Sequence, residues 1–214
     1  MREDRRGQRL PWWSAVAGIL TPVVLIGGWS LAANAQQAFD SSSQTISALA
    51  SLSAESRWIM TTSLILTGAG HIGLATGLIR ILPRTGPVLL AVGGVATAAV
   101  AFVPLACSAG ADACGAEPGA RAVVHSAVAS VAFFCLSIWP IATAWTLRAH
   151  RGAYAVASLI AGVVLVGLLV GFAAAVNGTA NDIGRYERVL AGAQAMWTAA
   201  TGVWFLTRRG AWNP

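Results

Sequence analysis

The chain contains no lysine, and all 14 of its basic residues are arginine. Charge of either sign is scarce. Only 10% of the 214 residues are charged, against roughly 25% in a soluble domain. A chain so poor in charge cannot cover a globule with solvated side chains. There are three cysteines and no CxxC spacing, which leaves a thiol-redox enzyme or a zinc ribbon without support. No Gly-rich phosphate loop, HExxH or GxSxG motif is present, and neither a cofactor nor a metal is expected. The isoelectric point near 10.6 would suit a nucleic-acid binder. The arginines, however, are scattered at the ends of apolar segments and form no patch interleaved with aromatics. No nucleic-acid partner is expected.

What the chain has in quantity is apolar sequence. It is 56% hydrophobic, with a mean hydropathy of +0.67, so lipid is the expected solvent. Six runs approach the roughly 20 residues that cross a hydrocarbon core. They lie at about Trp12–Ala33, Trp58–Ile79, Pro87–Ala106, Ala122–Leu147, Ala153–Val176 and Ile183–Leu206. The first has no small-residue cleavage site standing clear of it, so no cleaved signal peptide is expected. Pro22 and Pro140 fall inside runs, as membrane helices tolerate. Gly73 with Gly77, and Gly167 with Gly171, are small pairs at the spacing that lets membrane helices approach. The expected fold is all-α, a polytopic bundle of six transmembrane helices. It occupies residues 11–207 between tails at 1–10 and 208–214.

Arginine sets the orientation. With the N-terminus inside, the inner segments hold ten arginines (Arg2, Arg5, Arg6, Arg9, Arg80, Arg84, Arg148, Arg151, Arg208, Arg209). The outer segments hold four: Arg57, Arg121, Arg185 and Arg188. This is a positive-inside bias with both termini cytoplasmic. Six of the eight acids fall outside. Trp12, Trp13, Trp58 and Trp145 stand at segment ends, as interfacial anchors do. The Ala- and Gly-rich, lysine-free composition suggests a bacterial inner-membrane protein.

The longest polar interruption is Asp40–Trp58, DSSSQTISALASLSAESRW. Ile46, Leu49 and Ala50 recur in it at helical spacing. Ser41, Ser42 or Ser43 can cap the start. A short outer interfacial helix, apolar side down, is expected. Asp40, Ser47 and Glu55 either point into a site or are simply solvated.

Further charges gather at the same depth. Arg121 and His125 are one turn apart, as are Arg185 and Arg188, with Glu187 in the same first turn. Asp40, Ser47, Arg57, Arg121, His125, Arg185, Glu187 and Arg188 are therefore the candidate ligand-binding residues. Asp40, His125 and Glu187 are the candidates for acid–base work. The pocket reading expects Glu187 to pair with an arginine of another segment, with His125 and the Asp40–Ser47 loop facing the same cavity; the alternative is that ion pairs here only pin the helix ends. His71 lies roughly 20 Å down its span, and Gln194 at similar depth. A buried His71–Gln194 hydrogen bond is one reading, and a proton relay or ligand contact is the other. The depth difference between His71 and His125 does not fit a bis-histidine haem. Cys107 and Cys114 share an outer loop, where a disulfide is expected. The Asn177-Gly178-Thr179 sequon carries nothing in a bacterial protein.

AGILTPVVLIGGW, SSQTISALA, RWIMTTSLILTGAGHIGLATGL, FVPLACSAG, VVHSAVASVAFFCLSIWP and GRYERVLAGAQAMW occur in that order. Over nearly the whole chain they resemble DUF998, a bacterial family of six-span membrane proteins of unknown function. The resemblance implies the six-span fold and carries over no catalytic residue. Three functions stay open. One is binding of a membrane lipid or other apolar small molecule at an outer polar pocket. The second is an enzyme on a lipid or isoprenoid, with Asp40 or Glu187 as acid and His125 as base. The third is an accessory subunit of a membrane complex or a homo-oligomer.

Overall fold

A computed structural model describes residues 9–37, 39–107, 119–150, 152–178 and 182–207. The described residues form six α-helices and two 3-10 turns, without a strand. The helices are α1 (Trp12–Ala35), α2 (Arg57–Ile81), α3 (Thr85–Val100), α4 (Ala120–Thr146), α5 (Ala153–Asn177) and α6 (Ile183–Thr207). All but α3 are long and apolar enough to cross a membrane. At 24 to 27 residues, they exceed the ~20 residues a hydrocarbon core requires. The fold is that of an all-α polytopic membrane protein.

The third helix is shorter than its apolar run. It has 16 residues and stops at Val100 instead of continuing to Ala106. Pro104 disfavours helical geometry at the residue before it, and turns replace the helix there. Its start lies earlier than expected, at Thr85. Pro87 then falls in the first turn, where a missing N–H costs no helical hydrogen bond.

Each helix packs against its neighbours in sequence, and α6 closes back on α1. The result is an up-and-down ring with α1, α2, α3, α4 and α6 around its centre. Pro22 sits inside α1 and leaves the carbonyl of Gly18 without its helical donor. The hydroxyl of Thr21 donates to that carbonyl at 2.7 Å and also approaches the Ala195 carbonyl of α6 at 3.3 Å. Serines bind α1 to α2 in the same way. Ser14 donates to the Gly73 carbonyl at 2.8 Å and Ser63 to the Val24 carbonyl at 2.8 Å. Such bonds matter between helices in lipid, where apolar burial gives little drive.

The two glycine pairs differ. A Cβ on Gly73 or Gly77 would press on Ala17 or Ser14 of α1, so this pair is packed. Among the described residues Gly167 has nothing near it and Gly171 only Tyr186, so the second pair holds no close helix contact there. Between helices, the tightest backbone approach at a described glycine is Gly68 of α2 against Gly94 of α3.

Two apolar clusters close the ring. At the end opposite the 36–56 loop, Trp139, Tyr154, Leu74, Leu78 and Leu90 are fully buried, with Trp197 stacked on Tyr154 at 6.3 Å. At the loop end, Leu25, Met60, Leu64, Val100 and Ala195 surround residues of the loop itself. The short helix expected between α1 and α2 is present as a 3-10 turn, Ser47–Ala50. It does not lie flat on the surface. Ile46, Ala48, Leu49, Ala50 and Ser51 are all buried, and the turn plugs the mouth of the ring.

Candidate functional site

The plug is small because its residues are small. Ser47, Ala48, Ala50 and Ser51 let the backbone enter between helices, but its amides must then find acceptors away from water. Glu187 supplies them. Its Oε2 accepts the Ile46 N–H at 2.5 Å, and Ser47 meets the same carboxylate through its amide and hydroxyl. Glu187 is 4% exposed. It stands in the first turn of α6, where the helix dipole favours an acid. Thus Glu187 caps the 3-10 turn from another element, and among the described residues no arginine of another segment is its partner.

Arg188, the next residue, fastens the outer part of the same loop. Its Nη1 donates to the carbonyls of Ser41, Gln44 and Gly184, at 2.6, 2.8 and 2.9 Å. Its guanidinium also lies 5.3 Å from the Phe39 ring centre. Gly184 has no side chain because the Gln44 carbonyl lies against it. The N–H of Arg185 donates to the Ser42 carbonyl at 3.0 Å, while its side chain is exposed.

Asp40 is exposed and organises the loop locally. One carboxylate oxygen accepts the N–H and hydroxyl of Ser42, at 2.9 and 2.7 Å, and the other the hydroxyl of Ser43, at 2.6 Å. Ser42 and Ser43 therefore do not cap the turn; they donate to Asp40. These bonds, that from Ser43 foremost, hold the Asp40 carboxyl at a pKa of about 2, below the usual range.

His125 is buried, and its Nδ1 bonds the Val103 carbonyl at 2.7 Å. This ties the 101–107 segment to α4. Leu52 N–H donates to the Leu105 carbonyl at 2.9 Å, so the two long loops meet at one end of the ring. Arg57 and Arg121 are exposed. Cys107 is disulfide-bonded and Cys135 is free. Cys114, the expected partner of Cys107, lies outside the described residues.

Beneath the plug is a cavity of about 60 Å³. Its wall brings together Glu187 and Ser47 from the outer candidates with the deep pair His71 and Gln194. Asp40, Arg57, Arg121, His125, Arg185 and Arg188 are not in that wall. The Asp40–His125–Glu187 constellation expected for acid–base work does not converge on the cavity; Glu187 alone reaches it.

The deep pair also departs from expectation, since His71 and Gln194 are not bonded to each other. Gln194 Nε2 donates to the Phe133 carbonyl at 3.0 Å and to Ser137 Oγ at 2.9 Å, joining α6 to α4. His71 Nδ1 meets the Thr67 carbonyl at 2.9 Å. The His71 Nε2 and Thr67 Oγ1 are buried without a partner among the described residues. Most of the remaining wall is apolar: Leu25, Leu64, Val100, Ala132, Phe133 and Leu136. Sequence reasoning had not included Thr67 and Thr97 of this wall. Thr67 precedes His71 by one helical turn and so shares its face.

Among the described residues no cluster of histidine, cysteine, aspartate and glutamate could hold a metal ion. The arrangement can accept a small polar group within an apolar chamber. The chain is a polytopic helical membrane protein with a partly enclosed chamber between its helices. The chain is a member of the family described as "Protein of unknown function (DUF998)", whose model matches residues 16–204. No curated protein and no solved structure shows a significant match.

Proposed function

We propose that the protein is a membrane-embedded binding protein that takes a small amphiphile, apolar over most of its surface, into the chamber beneath the plug. One observation carries the proposal. A cavity with an apolar wall contains a buried histidine nitrogen and a threonine hydroxyl that lack hydrogen-bond partners. Buried polar groups in a folded chain are almost always satisfied, so such atoms mark a place for a guest or for water. The volume narrows the guest. At about 60 Å³, the chamber is smaller than the ~150 Å³ engineered cavity that holds benzene. It suits the end of a membrane lipid or a molecule of a few heavy atoms, and a larger guest requires the plug to move. The same reading puts the plugged end of the ring on the outer side of a bacterial inner membrane, with both termini cytoplasmic. The arginine distribution supports that orientation.

Native mass spectrometry of protein extracted from its own membrane tests the binding. A retained small molecule is expected. Ala132→Leu fills the wall and should remove that molecule while helicity and monodispersity persist. Retention of the same molecule by a well-folded Ala132→Leu protein would contradict the proposal.

A further inference from the structure

The polar lining of the chamber has a sign, and it follows from which atoms are already engaged. A carbonyl can only accept, so His71 Nδ1, facing the Thr67 carbonyl, carries the hydrogen of the neutral ring. Nε2 is then a bare lone pair, and it is the atom left without a partner. The same logic fixes Gln194. Its amide nitrogen donates to a carbonyl and a hydroxyl, which leaves its oxygen as the free end. Thr97 donates its hydroxyl hydrogen to the Gly93 carbonyl at 2.8 Å and keeps only acceptor capacity. Glu187 contributes carboxyl oxygens, with Ser47 donating to them. The unpartnered Thr67 hydroxyl is the one group able to give or take. The wall is thus built almost wholly of acceptors.

We infer that the ligand of this chamber is a hydrogen-bond donor, namely a primary ammonium group carried on an apolar tail. This inference rests on the binding role proposed above. An anionic head group finds only the Thr67 hydroxyl to donate to it and otherwise meets acceptor oxygens, those of Glu187 among them. A quaternary ammonium has no N–H to offer and is too bulky for the volume. A primary ammonium has three donors in about the space of one water. It also supplies the positive charge that a buried carboxylate needs. Arg188, the neighbouring cation, is not in the wall. Its Nη1 is turned to loop carbonyls.

The test is calorimetric titration of the full chain in zwitterionic nanodiscs with four probes: n-butylamine, n-butanol, butyrate and butyltrimethylammonium. Butylamine should bind at a single site at least ~10-fold tighter than butanol, as a charge-assisted bond would give. Butyrate and the quaternary ion should give no saturable heat. Glu187→Gln should weaken butylamine by at least ~10-fold and leave butanol nearly unchanged. Should that variant not fold, His71→Met serves instead, since it removes a wall acceptor that touches no plug residue. Butyrate binding as tightly as butylamine would overturn the donor assignment and leave the binding role standing. Failure of all four probes, with no molecule retained from the native membrane, would overturn both.

Discussion

The Oε2 of Glu187 accepts the backbone N–H of Ile46, 141 residues earlier in the chain. The bond joins the start of the last helix to the plug set in the mouth of the ring. It also exposes a weakness, because one side chain satisfies the amides of Ile46 and Ser47 together.

Removing that side chain should loosen the plug before it unfolds the ring. Glu187→Ala strands two buried amides, each costing about 1–3 kcal/mol. Glu187→Gln keeps one acceptor oxygen and should cost less. The melting temperature should fall in the order wild type, Gln, Ala. A cysteine at Ala50, buried in the wild type, should become reactive to a membrane-impermeant maleimide in the Ala background. Glu55→Gln should change neither, since that side chain is exposed.

Acid should act on the loop through Asp40. Its folded pKa, about 2, lies below the ordinary aspartate value of 3.8. A depressed carboxylate stabilises the fold above its unfolded pKa, and the contribution fades as pH falls through the folded value. Protease resistance of the 37–46 loop should therefore decline between about pH 4 and 2. Asp40→Asn should be less resistant at neutral pH and flatter across that window. A wild-type profile no steeper than that of Asp40→Asn would count against the assignment.

Small residues should separate into those that bear contacts and those that do not. Gly68→Ala would force a Cβ against Gly94 and Ala98. It should destabilise the protein by roughly 1–3 kcal/mol, as overpacking does. Gly167→Ala, with open space around it, should be close to neutral. Thermal unfolding in detergent reads both.

The orientation has its own test. A periplasm-active reporter should work after Gly115 and stay silent after Arg209. The opposite pattern would invert the ring, and activity at both positions would require an odd number of crossings.

The helices were legible because apolar length in lipid is nearly sufficient by itself. The bounds of α2, α5 and α6 fall within two residues of those read from hydropathy. The plug was not legible. Ile46, Leu49 and Ala50 would suit a helix lying on lipid as well as a turn pushed between helices. The choice depends on a carboxylate far away in sequence. The chamber was half legible. His71 and Gln194 stood out as polar residues at depth, but their separate bonds to α2 and α4 depend on side-chain geometry that spacing does not encode. The small pairs behaved likewise, since Gly73–Gly77 and Gly167–Gly171 look alike until neighbours are placed beside them.

Among the described residues none of α5 lines the chamber, yet the chamber depends on it. Glu187 reaches the plug only because α6 starts at the end where α1 finishes. Helix direction alternates along an up-and-down chain, so α6 must be even in the order, as α2 and α4 are. If α5 were excised, α6 would follow α4 directly and run the other way, carrying Glu187 to the far face of the membrane. The fifth helix therefore works as a return stroke. Beyond the packing of Tyr154 and Leu165, its presence fixes the parity on which the whole closure depends.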